Sequence, residues 1–136
     1  MGALRVLYKS AMVKLVEKRS AQKIDGLAKK RLKKLVKLAI EKSPFYRKLY
    51  SHIDPENFDL RQLAPTNKEM LMENFADTLT VDDVKFEAVK AFVEDPSLIG
   101  KLYKNKYVLV HTSGTTGIKG YFAYSKKAWE MNLAIH

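Results

Sequence analysis

The sequence predicts a helix-dominated α+β chain with a C-terminal β-hairpin, on three observations. Apolar residues recur at three- and four-residue intervals through about residue 100, the spacing of one face of a helix. Two short β-type runs follow, Tyr107-Val108-Leu109-Val110 and Tyr121-Phe122-Ala123-Tyr124. Between them, Thr112 to Gly120 has the composition of a loop.

The first helical stripe is Leu4, Leu7, Tyr8, Ala11 and Leu15, with Lys9, Lys14 and Lys18 off it. Ile24, Leu27, Ala28, Leu35, Leu38 and Ala39 form a second stripe among the lysines. Gly26 marks a place for a break, and one long helix and two shorter ones are both open. Pro44 ends the second stripe, because its ring disfavours helical geometry at Ser43 and removes a backbone donor. Phe45, Tyr46, Leu49 and Tyr50 then read as an aromatic cluster packed on the helices.

Pro65-Thr66-Asn67-Lys68-Glu69 reads as a helix start capped by Thr66, with Glu69 reaching back and Met70, Leu71 and Phe75 buried. Thr80-Val81-Asp82-Asp83 reads as a further start, with Val81, Val84, Ala88 and Phe92 as its stripe and Asp95-Pro96 as its stop. The acids from Asp82 to Asp95 read as solvated surface, and no metal site is assigned. Ser125 is placed to cap a last helix containing Trp129 and Leu133.

At 136 residues the chain fits one modest core. We divide it into a basic amphipathic helical segment, 1–42, and a segment 43–136 that contains the loop. The absence of cysteine excludes disulfides, thiolate metal sites and cysteine nucleophiles. With no long apolar run, a soluble, cytoplasmic chain is expected. The net charge of +10 lies entirely at the N-terminus: residues 1–50 hold 15 Lys and Arg against Glu17, Asp25 and Glu41, whereas residues 51–136 hold 10 against 12. Such a block suits a solvated face, or an alternative function as a basic helical module for anionic lipid, nucleic acid or a partner protein.

The loop Thr112-Ser113-Gly114-Thr115-Thr116-Gly117-Ile118-Lys119-Gly120 combines glycines, hydroxyls and one lysine. Glycines let backbone amides converge on an anion, and hydroxyls rotate to follow phosphate oxygens. No Gly-Lys-Ser/Thr triplet opens a helix here, so a helix dipole is not the anion-binding device. The expected device is a hairpin loop that folds over phosphates. His52, His111 and His136 have no nucleophile or carboxylate pattern beside them, and no catalytic residue is assigned.

The hexad Thr112-Ser113-Gly114-Thr115-Thr116-Gly117 resembles the signature phosphate loop of the adenylate-forming superfamily: acyl- and aryl-CoA ligases, luciferases and peptide-synthetase adenylation domains. Ser43-Pro44-Phe45-Tyr46-Arg47 and Pro65-Thr66-Asn67-Lys68-Glu69 resemble the N-terminal region of phenylacetate-CoA ligases. Tyr124-Ser125 is similar to the same branch, with its coenzyme-modifying synthetase and capsule-biosynthesis relatives. The likeness runs from Leu32 to Leu133. One departure is Lys119, which stands where the family commonly has proline; a gapped alignment makes it the lysine of many superfamily loops, and the ungapped one keeps Tyr124-Ser125 in step.

The resemblance implies an ATP-dependent ligase working on Mg-ATP and a carboxylic acid, with coenzyme A among the acceptors it allows. It implies that Thr112, Ser113, Gly114, Thr115, Thr116 and Gly117 hold the β- and γ-phosphates, with Lys119 beside them. It also implies an adenine pocket, a metal-binding carboxylate and a C-terminal lysine further along such an enzyme. The chain is therefore expected to be an N-terminal fragment of a larger mixed α/β adenylate-forming domain, inactive alone. Self-association, or association with the missing C-terminal part, is expected because an isolated hairpin leaves strand edges uncovered.

Overall fold

The computed structural model describes residues 2–115 and 117–135. Through them run α1 (Ala3–Glu17), α2 (Ala21–Lys42), α3 (Pro44–Leu49), α4 (Lys68–Glu73), α5 (Phe75–Thr78), α6 (Phe86–Glu94), β1 (Tyr107–His111), β2 (Tyr121–Ser125) and α7 (Lys126–Ile135). The predicted class holds: a helix-dominated α+β chain with a two-stranded antiparallel hairpin near its C-terminus. Among the described residues, no helix is long and apolar enough to cross a membrane.

The core lies against one face of the hairpin. In the β1–β2 ladder Tyr107 stands opposite Ser125, Leu109 opposite Ala123 and His111 opposite Tyr121. Strand alternation therefore puts Tyr107, Leu109, Tyr121 and Ala123 on one side. Tyr107 and Tyr121 are buried there with Phe75, Val84, Val89 and Tyr103. Rings lock this layer, with Phe86 4.9 Å from Phe75 and 5.5 Å from Tyr121, the latter edge to face. On the opposite face Tyr124 lies 5.4 Å from Trp129 of α7, whose first turn Ser125 caps by accepting from the Ala128 amide at 3.2 Å. Beyond one bridge between Tyr103 and Tyr107, the outer edges of the hairpin have no strand partner among the described residues.

The polar fastenings join distant segments. Ser43, fully buried, accepts from the Tyr46 amide at 3.3 Å to cap α3 and donates to the Asp77 carbonyl at 2.6 Å, tying α2 and α3 to α5. Asp83 accepts from the Tyr107 hydroxyl at 2.7 Å and the Lys106 ammonium at 3.1 Å, while its carbonyl takes Lys104 at 2.6 Å. The Tyr107 hydrogen bond, then that of Lys106, holds the Asp83 carboxyl below the ordinary range. Lys9 donates to the buried Glu130 carboxylate at 2.9 Å, fastening α1 to α7. That hydrogen bond outweighs burial and holds Glu130 below the ordinary range.

Several local expectations are corrected. The α1–α2 break falls at 18–20, and Gly26 lies inside α2. The helical period of α2 is right and the expected stripe holds in part: Leu27 and Ala39 are half-buried, but the buried residue is Val36, with Ile40 half-buried beside it, and Ile24, Ala28, Leu35 and Leu38 stand open. Val36, Ala39 and Ile40 share one side of the helix, and α2 packs on α3. In α1 the stripe Leu4, Leu7, Tyr8, Ala11 and Leu15 is likewise exposed, because Lys9 and Ser10 on the other side engage α7. Asn67, not Thr66, caps α4, accepting from the Met70 amide at 2.8 Å. Helix α6 starts at Phe86 because the Asp83 bonds hold the preceding residues non-helical; Val84 and Val89 are buried and Ala88 is exposed.

Val89 is fully enclosed in the core layer. Removing its two methyl groups leaves a void the aromatic rings cannot fill, so Val89→Ala is expected to cost roughly 2 kcal/mol in urea unfolding. A change under about 0.5 kcal/mol would show that this layer is not the core.

Candidate functional site: the 112–120 loop

The loop is closed at its base by the ladder and by two further bonds. After the His111–Tyr121 pair, the Thr112 amide donates to the Gly120 carbonyl at 2.9 Å. The Gly120 amide donates back to the Thr112 hydroxyl oxygen, also at 2.9 Å. Thr112 thus uses its acceptor side to close the loop, and its O–H hydrogen stays free to donate outward.

Above that base the chain turns tightly. The Gly117 amide donates to the Gly114 carbonyl at 2.9 Å, with φ of +73° at Gly114 and +100° at Gly117. A side chain is strained at either position. At Gly114 space also forbids one, since a Cβ would lie 2.7 Å from Cγ of Lys119. Lys119 therefore folds back across Gly114.

Two cations and one carboxylate surround the turn. The Lys68 ammonium, in the first turn of α4, donates to the Ile118 carbonyl at 3.3 Å and ties the loop to that helix. The Lys119 ammonium stands 3.9 Å from Oε1 of Glu94, both side chains about half exposed. The same Glu94 oxygen accepts from the Tyr121 hydroxyl at 3.2 Å. Burial first, then the Glu94 hydrogen bond, raises the Tyr121 phenol above its ordinary pKa, so it remains a donor. His111 is exposed, its Nδ1 3.0 Å from the Thr112 carbonyl.

The crown of the loop is open. Ser113 and Thr115 are exposed, and among the described residues neither hydroxyl has a partner. The amides of Ser113, Gly114, Thr115, Ile118 and Lys119 likewise donate to no other described residue. Thr116, the remaining predicted site residue, lies outside the described residues, as does His136. The arrangement can therefore offer several N–H and O–H donors and one ammonium to an anion. No group of three or more His, Cys, Asp or Glu that could hold a metal occurs among the described residues.

Set against family models, curated proteins and solved structures, the chain matches none.

The structure brings Thr112, Ser113, Gly114, Thr115, Gly117 and Lys119 into one turn, and it adds two residues that sequence reasoning did not place there. Glu94 reads as solvated surface in sequence, and nothing local to it marks a loop 25 residues onward as its neighbour. Lys68 sits inside the Pro65–Glu69 segment, which reads only as a helix start.

The base closure sets a measurable expectation. Thr112→Val removes the acceptor of the Gly120 amide, a bond worth about 1 kcal/mol, so that amide should exchange its hydrogen roughly fivefold faster. The Tyr46 amide, remote in α3, serves as the unchanged control. An unaltered Gly120 rate would show that the threonine hydroxyl does not close the loop.

Proposed function

We propose that this chain is the N-terminal, ATP-phosphate-binding portion of an adenylate-forming enzyme of the acyl- or aryl-CoA ligase kind. The observation that carries the proposal is the open crown: a glycine turn in which the hydroxyls of Ser113 and Thr115 and the amides of Ser113, Gly114, Thr115, Ile118 and Lys119 have no partner among the described residues, at the hexad that resembles the superfamily's phosphate loop. A hairpin loop that served only as a connection would gain nothing from so many unpaired donors above so tight a base.

In this reading Ser113, Thr115 and Thr116 donate hydroxyl hydrogen bonds to the β- and γ-phosphates, and the backbone between Gly114 and Gly117 approaches them closely. Thr112 holds the base and can donate its remaining hydrogen. Lys119 neutralises phosphate charge once it leaves Glu94, a weak and screened pairing at their exposure. Magnesium arrives with the nucleotide and offsets the charge that develops on pyrophosphate.

The reaction is a substitution at phosphorus. A carboxylate oxygen of the acid substrate attacks the α-phosphorus of ATP, the bond from that phosphorus to the bridging oxygen breaks, and pyrophosphate leaves with the bond electrons. The acyl-adenylate then passes its acyl group to a thiol such as that of coenzyme A, or to an amine, and AMP departs. The contribution of this chain is to hold the leaving pyrophosphate in place, through positioning and charge. No residue of this chain is assigned to the acid pocket or to the rest of the catalytic machinery. The use of ATP and the lack of cysteine fit a cytoplasmic location.

Equilibrium binding of Mg-tripolyphosphate, Mg-ATP and AMP to the full chain tests the reading. The two polyphosphates are expected to bind at least about tenfold more tightly than AMP. Gly114→Val, strained in φ and blocked by Lys119, should abolish that preference. Glu94→Gln should strengthen it up to about fivefold by releasing the lysine. Equal affinity for AMP and tripolyphosphate, or an indifferent Gly114→Val chain that remains folded, would refute the assignment.

A further inference from the structure

A second surface stands apart from the loop. Helix α1 is apolar on two sides, and only one of them is used. At about 3.6 residues per turn, Val6, Lys9, Val13 and Val16 fall on the side that meets α7; all four are half-buried. Leu4, Leu7, Tyr8, Ala11 and Leu15 fall on the other. There Leu4 is 84% exposed, Leu7 67%, Tyr8 67% and Leu15 62%. Large apolar side chains this open, in one stripe about 17 Å long, call for a partner.

The charge around the stripe selects that partner. By the same helical spacing Arg5 borders the stripe on one side and Lys14 on the other, with Lys18 at its C-terminal end. The one acid of the helix, Glu17, lies off the stripe on the side turned toward α7. Helix α2 continues the same sign, with Lys29, Lys30, Lys33, Lys34 and Lys37 at its surface. Two of these pair with acids, Lys37 with the Glu56 carboxylate and Lys29 with Asp25, while Lys33 donates to the neutral backbone carbonyl of Glu56.

We propose that α1 lies flat on an anionic lipid surface, its Leu4-Leu7-Tyr8-Leu15 face sunk into the headgroup layer and its bordering cations on lipid phosphates. Each competing occupant leaves half of this surface unanswered. Nucleic acid would neutralise the lysines and leave the leucines in water. A second copy would cover the leucines while bringing together two segments that each carry 15 cations against three acids. An anionic bilayer takes both the apolar stripe and the charge, and Tyr8 suits the boundary between them. The helix stays on the surface, since it is too short and too basic to span. This inference concerns a surface other than the loop and does not rest on the ligase reading.

The test is co-sedimentation of the full chain with vesicles of phosphatidylcholine, with and without about 30 mol% phosphatidylserine. Binding is expected only to the anionic vesicles, and to fall at least about tenfold between 0.1 and 0.5 M salt. Leu7→Glu with Leu15→Glu should cut binding by at least roughly tenfold, and circular dichroism should be unchanged because both positions are already in water. The chain has no cysteine, so Leu7→Cys accepts a single environment-sensitive dye; its emission should shift to the blue on anionic vesicles. Leucine substitutions that leave vesicle binding intact would overturn the proposal, as would a dye that stays in water. Preferential binding of duplex DNA unaffected by those substitutions, or dimerisation through the stripe without vesicle binding, would assign the surface to another occupant and overturn it equally.

Discussion

The openness of the loop crown depends on the closure of its base. Thr112 and Gly120 exchange two hydrogen bonds directly above the His111–Tyr121 pair, so the chain leaves and re-enters the hairpin at fixed points. With the ends held, a single turn bond from Gly117 to Gly114 suffices to shape the interior. The remaining amides are then not needed for structure. A loop closed less firmly would fold its donors inward on one another, since exposed backbone groups pair where geometry allows. Threonine at 112 suits this role because its hydroxyl accepts from one side and keeps a hydrogen for the other.

The base is firm because of what lies beneath it. Tyr121, the first residue of β2, is buried among Phe86 and the core aromatics, and its hydroxyl reaches Glu94 at the end of α6. Glu94 in turn stands beside Lys119. The core, the end of α6 and the loop cation thus form one connected set, in which a buried ring positions a carboxylate and the carboxylate restrains the lysine. On the other flank Lys68 links the loop to the start of α4. The two attachments come from elements that are far apart in sequence and adjacent to the loop only because the hairpin packs on α5 and α6.

What could be read in the sequence follows from how local each signal is. The hairpin, its loop and the Ser125 cap are encoded within a few residues of where they act, and all three stand in the structure. The Pro44 stop and the aromatic run behind it resolve into α3 for the same reason, with Tyr46 and Tyr50 stacked at 5.7 Å. Helical periodicity in α1 and α2 was equally legible, yet it could not say which stripe is buried, because both helices are apolar over more than one face. In α1 that choice is made by Lys9 meeting Glu130, 121 residues away, and in α2 by packing on α3. The α6 start at Phe86 escaped for a similar reason: Asp82 and Asp83 look like first-turn residues until Tyr107 claims the Asp83 carboxylate. Within the site the hexad was plain and its neighbours Glu94 and Lys68 were not.

The fold therefore presents two surfaces of different character: a donor-rich turn on the hairpin, and an apolar helix face bordered by cations at the N-terminus. The first carries the functional account. Backbone amide resonances followed during titration with Mg-ATP test it most directly, because each donor reports for itself. The account predicts that Ser113, Gly114, Thr115, Gly117 and Lys119 shift together with one saturation curve, while the lysines of α2 shift little. Shifts confined to α2, or loop resonances that stay in place at saturating nucleotide, would contradict it.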